Sequence, residues 1–79
     1  MITILRASGL SVAIYRHDHE PPHVHVLGDG EVKILLGGID DMPTVLSVNR
    51  MKFGDVKKAL RAVADNKELL LAEWSRIHG

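Results

Sequence analysis

Four histidines fall close together in the run Arg16-His17-Asp18-His19-Glu20-Pro21-Pro22-His23-Val24-His25-Val26, interleaved with two carboxylates and a double proline. Two chemistries use such a set. As metal ligands, His17, His19, His23 and His25 would hold zinc or another divalent transition metal, with Asp18 and Glu20 as further candidates for the third ligand, because imidazole and carboxylate are the donors on offer. His23 and His25 stand at i and i+2. On a strand their side chains leave one face roughly 7 Å apart at the backbone, a gap that one ion bridges. The other chemistry needs no metal. His23 and His25 would serve as general acid and base in cleavage of an RNA phosphodiester, with Lys33 steadying phosphate charge. Lys33 separates the two, since an ammonium helps a phosphate and repels a cation, and it tips the cofactor expectation towards none. The bland alternative is a solvated polar sheet face with no function.

The flanking sequence must position these residues. Thr3 to Ala7 and Ser11 to His17 alternate at period two around a turn at Ser8-Gly9, which predicts a β-hairpin. In this register Val12 and Ile14 share one face, and Ala13, Tyr15 and His17 the other. Pro21 and Pro22 remove two backbone donors, so the chain leaves the sheet there and pairing resumes at His23. The strands His23–Leu27 and Glu31–Leu36 follow, joined by Gly28-Asp29-Gly30. A three-residue loop with Gly30 left-handed puts Val26 opposite Val32 and Val24 opposite Ile34, so the apolar residues share a face. The same register sets His25 across from Lys33 and His23 across from Leu35. Thr44 to Val48 is a fifth strand.

From Phe53 the period turns helical: Phe53, Val56, Ala59, Leu60 and Val63 make one stripe, with Lys57, Lys58 and Arg61 opposite. Asp65 with Glu68 is a capping pair for a second helix whose stripe is Leu70, Trp74 and Ile77, stopped by Gly79. The expectation is a single α+β domain over residues 1–79, with strands within 2–48 and helices at about 53–64 and 66–78. The small antiparallel sheet, of four to five strands, carries a C-terminal helical hairpin packed on one face. The paired histidines would stand on the face turned away from the helices.

Composition narrows the function classes. Ten basic residues balance ten acidic ones, which argues against a strongly basic nucleic-acid binder. The charge is nonetheless split, with residues 1–49 at −3 and residues 50–79 at +3. Such a split favours self-association into a homo-oligomer or a complementary partner. Cysteine is absent, so thiolate metal sites and disulfides are excluded. Arg6, Ser8, Gly9 and Ser11 interrupt the apolar N-terminal run, so no membrane association is expected and the cytoplasm is the expected compartment. Glu20 with Lys57, Lys58 and Arg61 is the expected partner-binding set, against the plainer reading of a solvated helix face. Trp74 belongs to the core, and His78 needs no role beyond the helix dipole.

The motif "HEPPHVHV" at residues 19–26, the "EVKILL" strand after it and the ending "LLLAEWSRIHG" resemble a small bacterial domain-of-unknown-function family, numbered 4160. The resemblance runs from "TILRASGL" to Gly79, and its motif falls on Glu20, Pro21, Pro22, His23 and His25, with Lys33 at the matching lysine. The segment from Gly37 to Val48 looks longer than the family's equivalent. Members commonly lie beside a second small family, numbered 2442, in pairs described as toxin–antitoxin systems. The resemblance therefore implies one component of a toxin–antitoxin-like two-protein module, with a small partner protein encoded nearby, RNA or DNA as further partners, and action through the histidine-rich face. The alternative is a small metal-independent ribonuclease or a His-ligated metal-binding hydrolase.

Overall fold

The computed structural model describes residues 1–79 as a five-stranded antiparallel sheet followed by two helices. The strands are β1 (Ile2–Ala7), β2 (Leu10–Ile14), β3 (His23–Leu27), β4 (Glu31–Leu35) and β5 (Thr44–Asn49), side by side in chain order. The helices are α1 (Phe53–Asp65) and α2 (Lys67–His78). Simple up-and-down order follows from short connections, because antiparallel neighbours need only a hairpin loop. The β1–β2 turn has Ser8 and Gly9 at φ 53° and 77°, the left-handed pair that matches the twist of a two-residue hairpin.

The β3–β4 register is the expected one: Val24 faces Ile34, Val26 faces Val32 and His25 faces Lys33. Burying the apolar face decides it, since a one-residue slip would turn every side chain over. Val12, Val24, Val26, Val32 and Ile34 are all fully buried, and Val56, Ala59 and Val63 of α1 cover them. Ala59 has almost no side chain, which lets the helix come close to the sheet. Each large aliphatic side chain so buried contributes about 1.5–3 kcal/mol of transfer free energy.

Several details differ from expectation. Gly30 is not left-handed; the glycines at positive φ are Gly9, Gly37 and Gly79. Its lack of a side chain serves close approach instead, because a Cβ there would collide with the backbone of Asn49 and Arg50 at the end of β5. Phe53 is 77% exposed rather than on the buried stripe. It lies at the right angle, but α1 meets the sheet only from Val56 onward, and the Phe53 ring sits 5.6 Å beneath the Lys57 ammonium. Asp65 ends α1 rather than capping α2; Asn66 joins the two helices with no side-chain cap. The strand expected to reach His17 stops at Ile14, where Asp18 folds the chain into a turn by bonding back to Tyr15. Finally, the second sheet face is covered around the histidines, as the next section describes.

Candidate metal centre

His23 and His25 project from the same side of β3, with ring centroids 5.4 Å apart in an edge-to-face arrangement. They are 8% and 5% exposed, so the face expected to be solvated is sealed here. Three side chains account for that. The Tyr15 ring lies flat on His25, centroids 3.9 Å apart and planes 3° from parallel. Trp74 of α2 packs on His23 at 5.2 Å. Asp18 closes the gap between the two imidazoles.

The partner of Nδ1 sets the tautomer of His23, whereas His25 meets an acceptor at each nitrogen. A backbone carbonyl only accepts, so His23 donates from Nδ1 to the Pro21 carbonyl at 2.9 Å. Its Nε2 then faces Asp18 Oδ2 at 3.4 Å. His25 Nδ1 stands 2.7 Å from the Glu31 carboxylate and its Nε2 3.1 Å from the same Asp18 oxygen. Two imidazole nitrogens therefore converge on one carboxylate oxygen, and each ring is fixed from behind by an acceptor. That is the outer-shell arrangement that orients metal-ligating histidines. The alternative filling is a proton, with His25 as an imidazolium bracketed by two carboxylates.

The donor set fits a divalent transition metal. The nearest ligand atoms of Asp18, His23 and His25 all lie within 4.8 Å of one another. Ligand distances of about 2.0–2.2 Å imply tetrahedral edges of roughly 3.4 Å. The two nitrogen-to-Asp18 separations, 3.1 and 3.4 Å, match that edge, and the third, between the imidazoles, is bounded by the 4.8 Å limit, so a bound ion would draw the two rings together. Two histidines and one carboxylate leave at least one coordination position open.

Of the residues marked out by sequence, the structure brings His23 and His25 together and holds His17 and His19 apart from them, exposed in the turn after β2. The third donor is Asp18, which lies between those two outer histidines. Lys33 is across the hairpin from His25, as the register requires, yet the charged groups that reach His25 are Asp18 and Glu31. The local field is thus anionic, the sign that attracts a metal ion. Burial and the carboxylates of Glu31 and Asp18, in that order, push the Tyr15 phenol above its ordinary pKa.

Glu20 accepts a bond from the Trp74 indole at 3.2 Å, across 54 residues of chain. His78 does more than sit at a helix end: its ring packs on Trp74 at 3.9 Å and reaches the Tyr15 carbonyl at 3.2 Å. The end of α2 is therefore tied to the residues that cover the histidine pair. Lys57, Lys58 and Arg61 all lie exposed on α1, and Lys58 and Arg61 each stand 3.9 Å from an acidic neighbour on the helix. Asp18 was among the four residues that sequence offered as a third ligand, whereas Glu31 and Tyr15 were not singled out as site residues. The signal for Asp18 was its place inside the histidine run; nothing comparable marked Glu31 or Tyr15.

With the Pro21-Pro22-His23-x-His25 core formed and the lysine aligned across the hairpin, the sequence profile of a domain of unknown function, DUF4160, matches residues 9–75. The chain belongs to the DUF4160 family. No curated protein and no solved structure matches it. The DUF4160 match runs from β2 into α2, takes in Tyr15, Asp18, His23, His25 and Glu31, and stops just after Trp74. No helix of the chain is long and apolar enough to cross a membrane.

Proposed function

We propose that this DUF4160 chain is a metal-binding protein whose Asp18, His23 and His25 hold a divalent transition-metal ion, zinc being the natural fit to that donor set. One observation carries the reading: both Nε2 atoms converge on a single Asp18 oxygen while each Nδ1 faces a second acceptor, the Pro21 carbonyl or the Glu31 carboxylate. A neutral imidazole has one N–H for two acceptors, so on each ring one nitrogen is left with its lone pair facing an acceptor, a repulsion that a cation held between the Nε2 atoms and Asp18 would relieve. A bound ion would supply Lewis acidity and lower the pKa of a coordinated water, the chemistry of metal-assisted hydrolysis. The chain's own contribution is to fix the donors: Pro21 and Glu31 hold the rings, and the Tyr15 amide holds Asp18. Tyr15 and Trp74 exclude bulk water from the imidazoles.

A metal-free acid–base pair is a second reading, favoured by the carboxylate on each nitrogen of His25. The toxin–antitoxin-like role draws on the family resemblance, and growth on expression with and without the neighbouring gene tests it separately.

The metal reading is tested on protein purified without a histidine tag. Elemental analysis and cobalt titration are expected to give one ion per chain, with a d–d spectrum of low coordination number. Asp18→Ala, His23→Ala and His25→Ala should each abolish it, while His17→Ala and His19→Ala leave it intact. An absence of stoichiometric metal, or binding that survives in the His23→Ala variant, defeats the proposal. RNA cleavage that persists in chelator and disappears in both histidine variants would support the acid–base reading instead.

A further inference from the structure

The two edges of the sheet are treated differently. β1 carries Arg6 and a bulge between Thr3 and Leu5, both of which discourage pairing with another strand. β5, at the opposite edge, reads Thr-Val-Leu-Ser-Val-Asn, with neither a charge nor a proline along its length. Leu46 and Val48 are 49% and 48% exposed on it. The register shift in the β4–β5 ladder sets Val45 opposite Ile34 and Val48 opposite Val32, so both valines lie on the core-facing side. Val45 packs against the core, whereas Val48 stands at its open margin.

The ends of β5 differ in sign. Before it lies the loop with exposed Asp40 and Asp41, flanked by exposed Ile39 and Met42. The Asp41 carboxylate accepts from the Gly38 amide at 2.8 Å, and the buried Lys67 ammonium donates to the Asp41 carbonyl, so this acidic end is held in place. After the strand come exposed Arg50 and Lys52 and then exposed Phe53. A strand that is acidic at one end and basic at the other is complementary to an antiparallel copy of itself.

We propose that β5 is a dimerisation edge, pairing antiparallel with β5 of a second copy about a two-fold axis and joining the two sheets into one. In the favoured register Val45 faces Val48 of the second copy, which extends the apolar layer across the axis. Thr44 then faces Asn49 and Leu46 faces Ser47. The Asp40–Asp41 end of each copy meets the Arg50–Lys52 end of the other, whereas a parallel arrangement would bring like charges together. The strand's own sequence thus selects a second copy over an unrelated partner.

Sedimentation velocity of the full chain, from low micromolar to sub-millimolar concentration, is expected to show twice the 8.7 kDa chain mass. Val48→Lys should remove the dimer, and Thr3→Lys, on the other edge, should leave it, each with an unchanged circular dichroism spectrum. Lys52→Glu and Asp40→Lys alter exposed residues and keep the proposal testable even if a strand variant unfolds. Each alone should weaken the dimer about tenfold, because one end of each strand becomes neutral and the attraction at both flanks is lost. Mixed together, the two variants should recover a heterodimer, since both flanks are then attractive again. A single-chain mass across the whole range, a dimer that survives Val48→Lys, a dimer broken by Thr3→Lys, or a charge-swapped mixture that fails to recover would each overturn the proposal.

Discussion

Replacing Glu31 by glutamine isolates the charge behind His25 without removing a ligand. The glutamate accepts from His25 Nδ1 at 2.7 Å, the short end of the N–H···O range and the mark of a charge-assisted bond. Glutamine keeps a carbonyl acceptor of the same shape, so the ring stays in place and only its electron-donating support weakens. Outer-shell substitutions of this kind cost about 10–100-fold in metal affinity. Glu31's side chain is 36% exposed while His25's is only 7%, so water already screens part of the carboxylate's field. The lower end of the range applies, about tenfold, or roughly 1.4 kcal/mol. The assay is competitive titration of zinc against a chromophoric chelator, with thermal melting of the metal-free protein as control. Lys33→Met in the same assay should bind at least as tightly as wild type, because an ammonium on the same sheet face is lost. If Glu31→Gln binds zinc as tightly as wild type, or loses as much affinity as His25→Ala, the assignment of Glu31 as support for a ligating imidazole is wrong.

Three further outcomes follow from contacts described above. Tyr15 is the sole tyrosine, so ultraviolet titration of the metal-free protein reports it alone. Its midpoint should lie above 10.0, because burial and two carboxylates favour the neutral phenol, and Glu31→Gln should lower it; a midpoint at or below 10.0 would contradict the contacts with Glu31 and Asp18. Gly30→Ala should destabilise strongly through collision with the Asn49–Arg50 backbone, whereas Gly54→Ala, which meets open space in α1, should stabilise by up to about 1 kcal/mol in chemical denaturation. Trp74→Ala should cost about 3–5 kcal/mol in the same experiment, the usual range for an aromatic lost from a core; a loss below about 1 kcal/mol would show that α2 is not anchored there.

Much of the fold was legible because it rests on local periodicity. The alternation of Val24, Val26, Val32 and Ile34 set the register of the central hairpin, and the Ser8-Gly9 turn and, Phe53 apart, the helix stripes were equally plain. What escaped was set by contacts far apart in sequence. Nothing near His23 announces that Trp74 will close over it, and nothing near Tyr15 announces His78. Periodicity assigned the histidines to a face but could not say that the face would be roofed. The same holds at the site itself. Register set Lys33 across from His25, yet the turn that breaks off β2 swings Asp18 onto the imidazoles, and that turn depends on the Tyr15 amide donating to the Asp18 carboxylate. Gly30 shows a related limit: turn chemistry suggested a backbone reason for glycine, and the actual reason is the neighbouring strand.

The indole resting against the His23 imidazole makes the molecule its own optical gauge. Trp74 is the only tryptophan, so all of the emission excited at the red edge arises 5.2 Å from one ring of the pair. A paramagnetic ion seated there would darken that emission, and a closed-shell ion would not, so occupancy and electronic type can both be followed without a label.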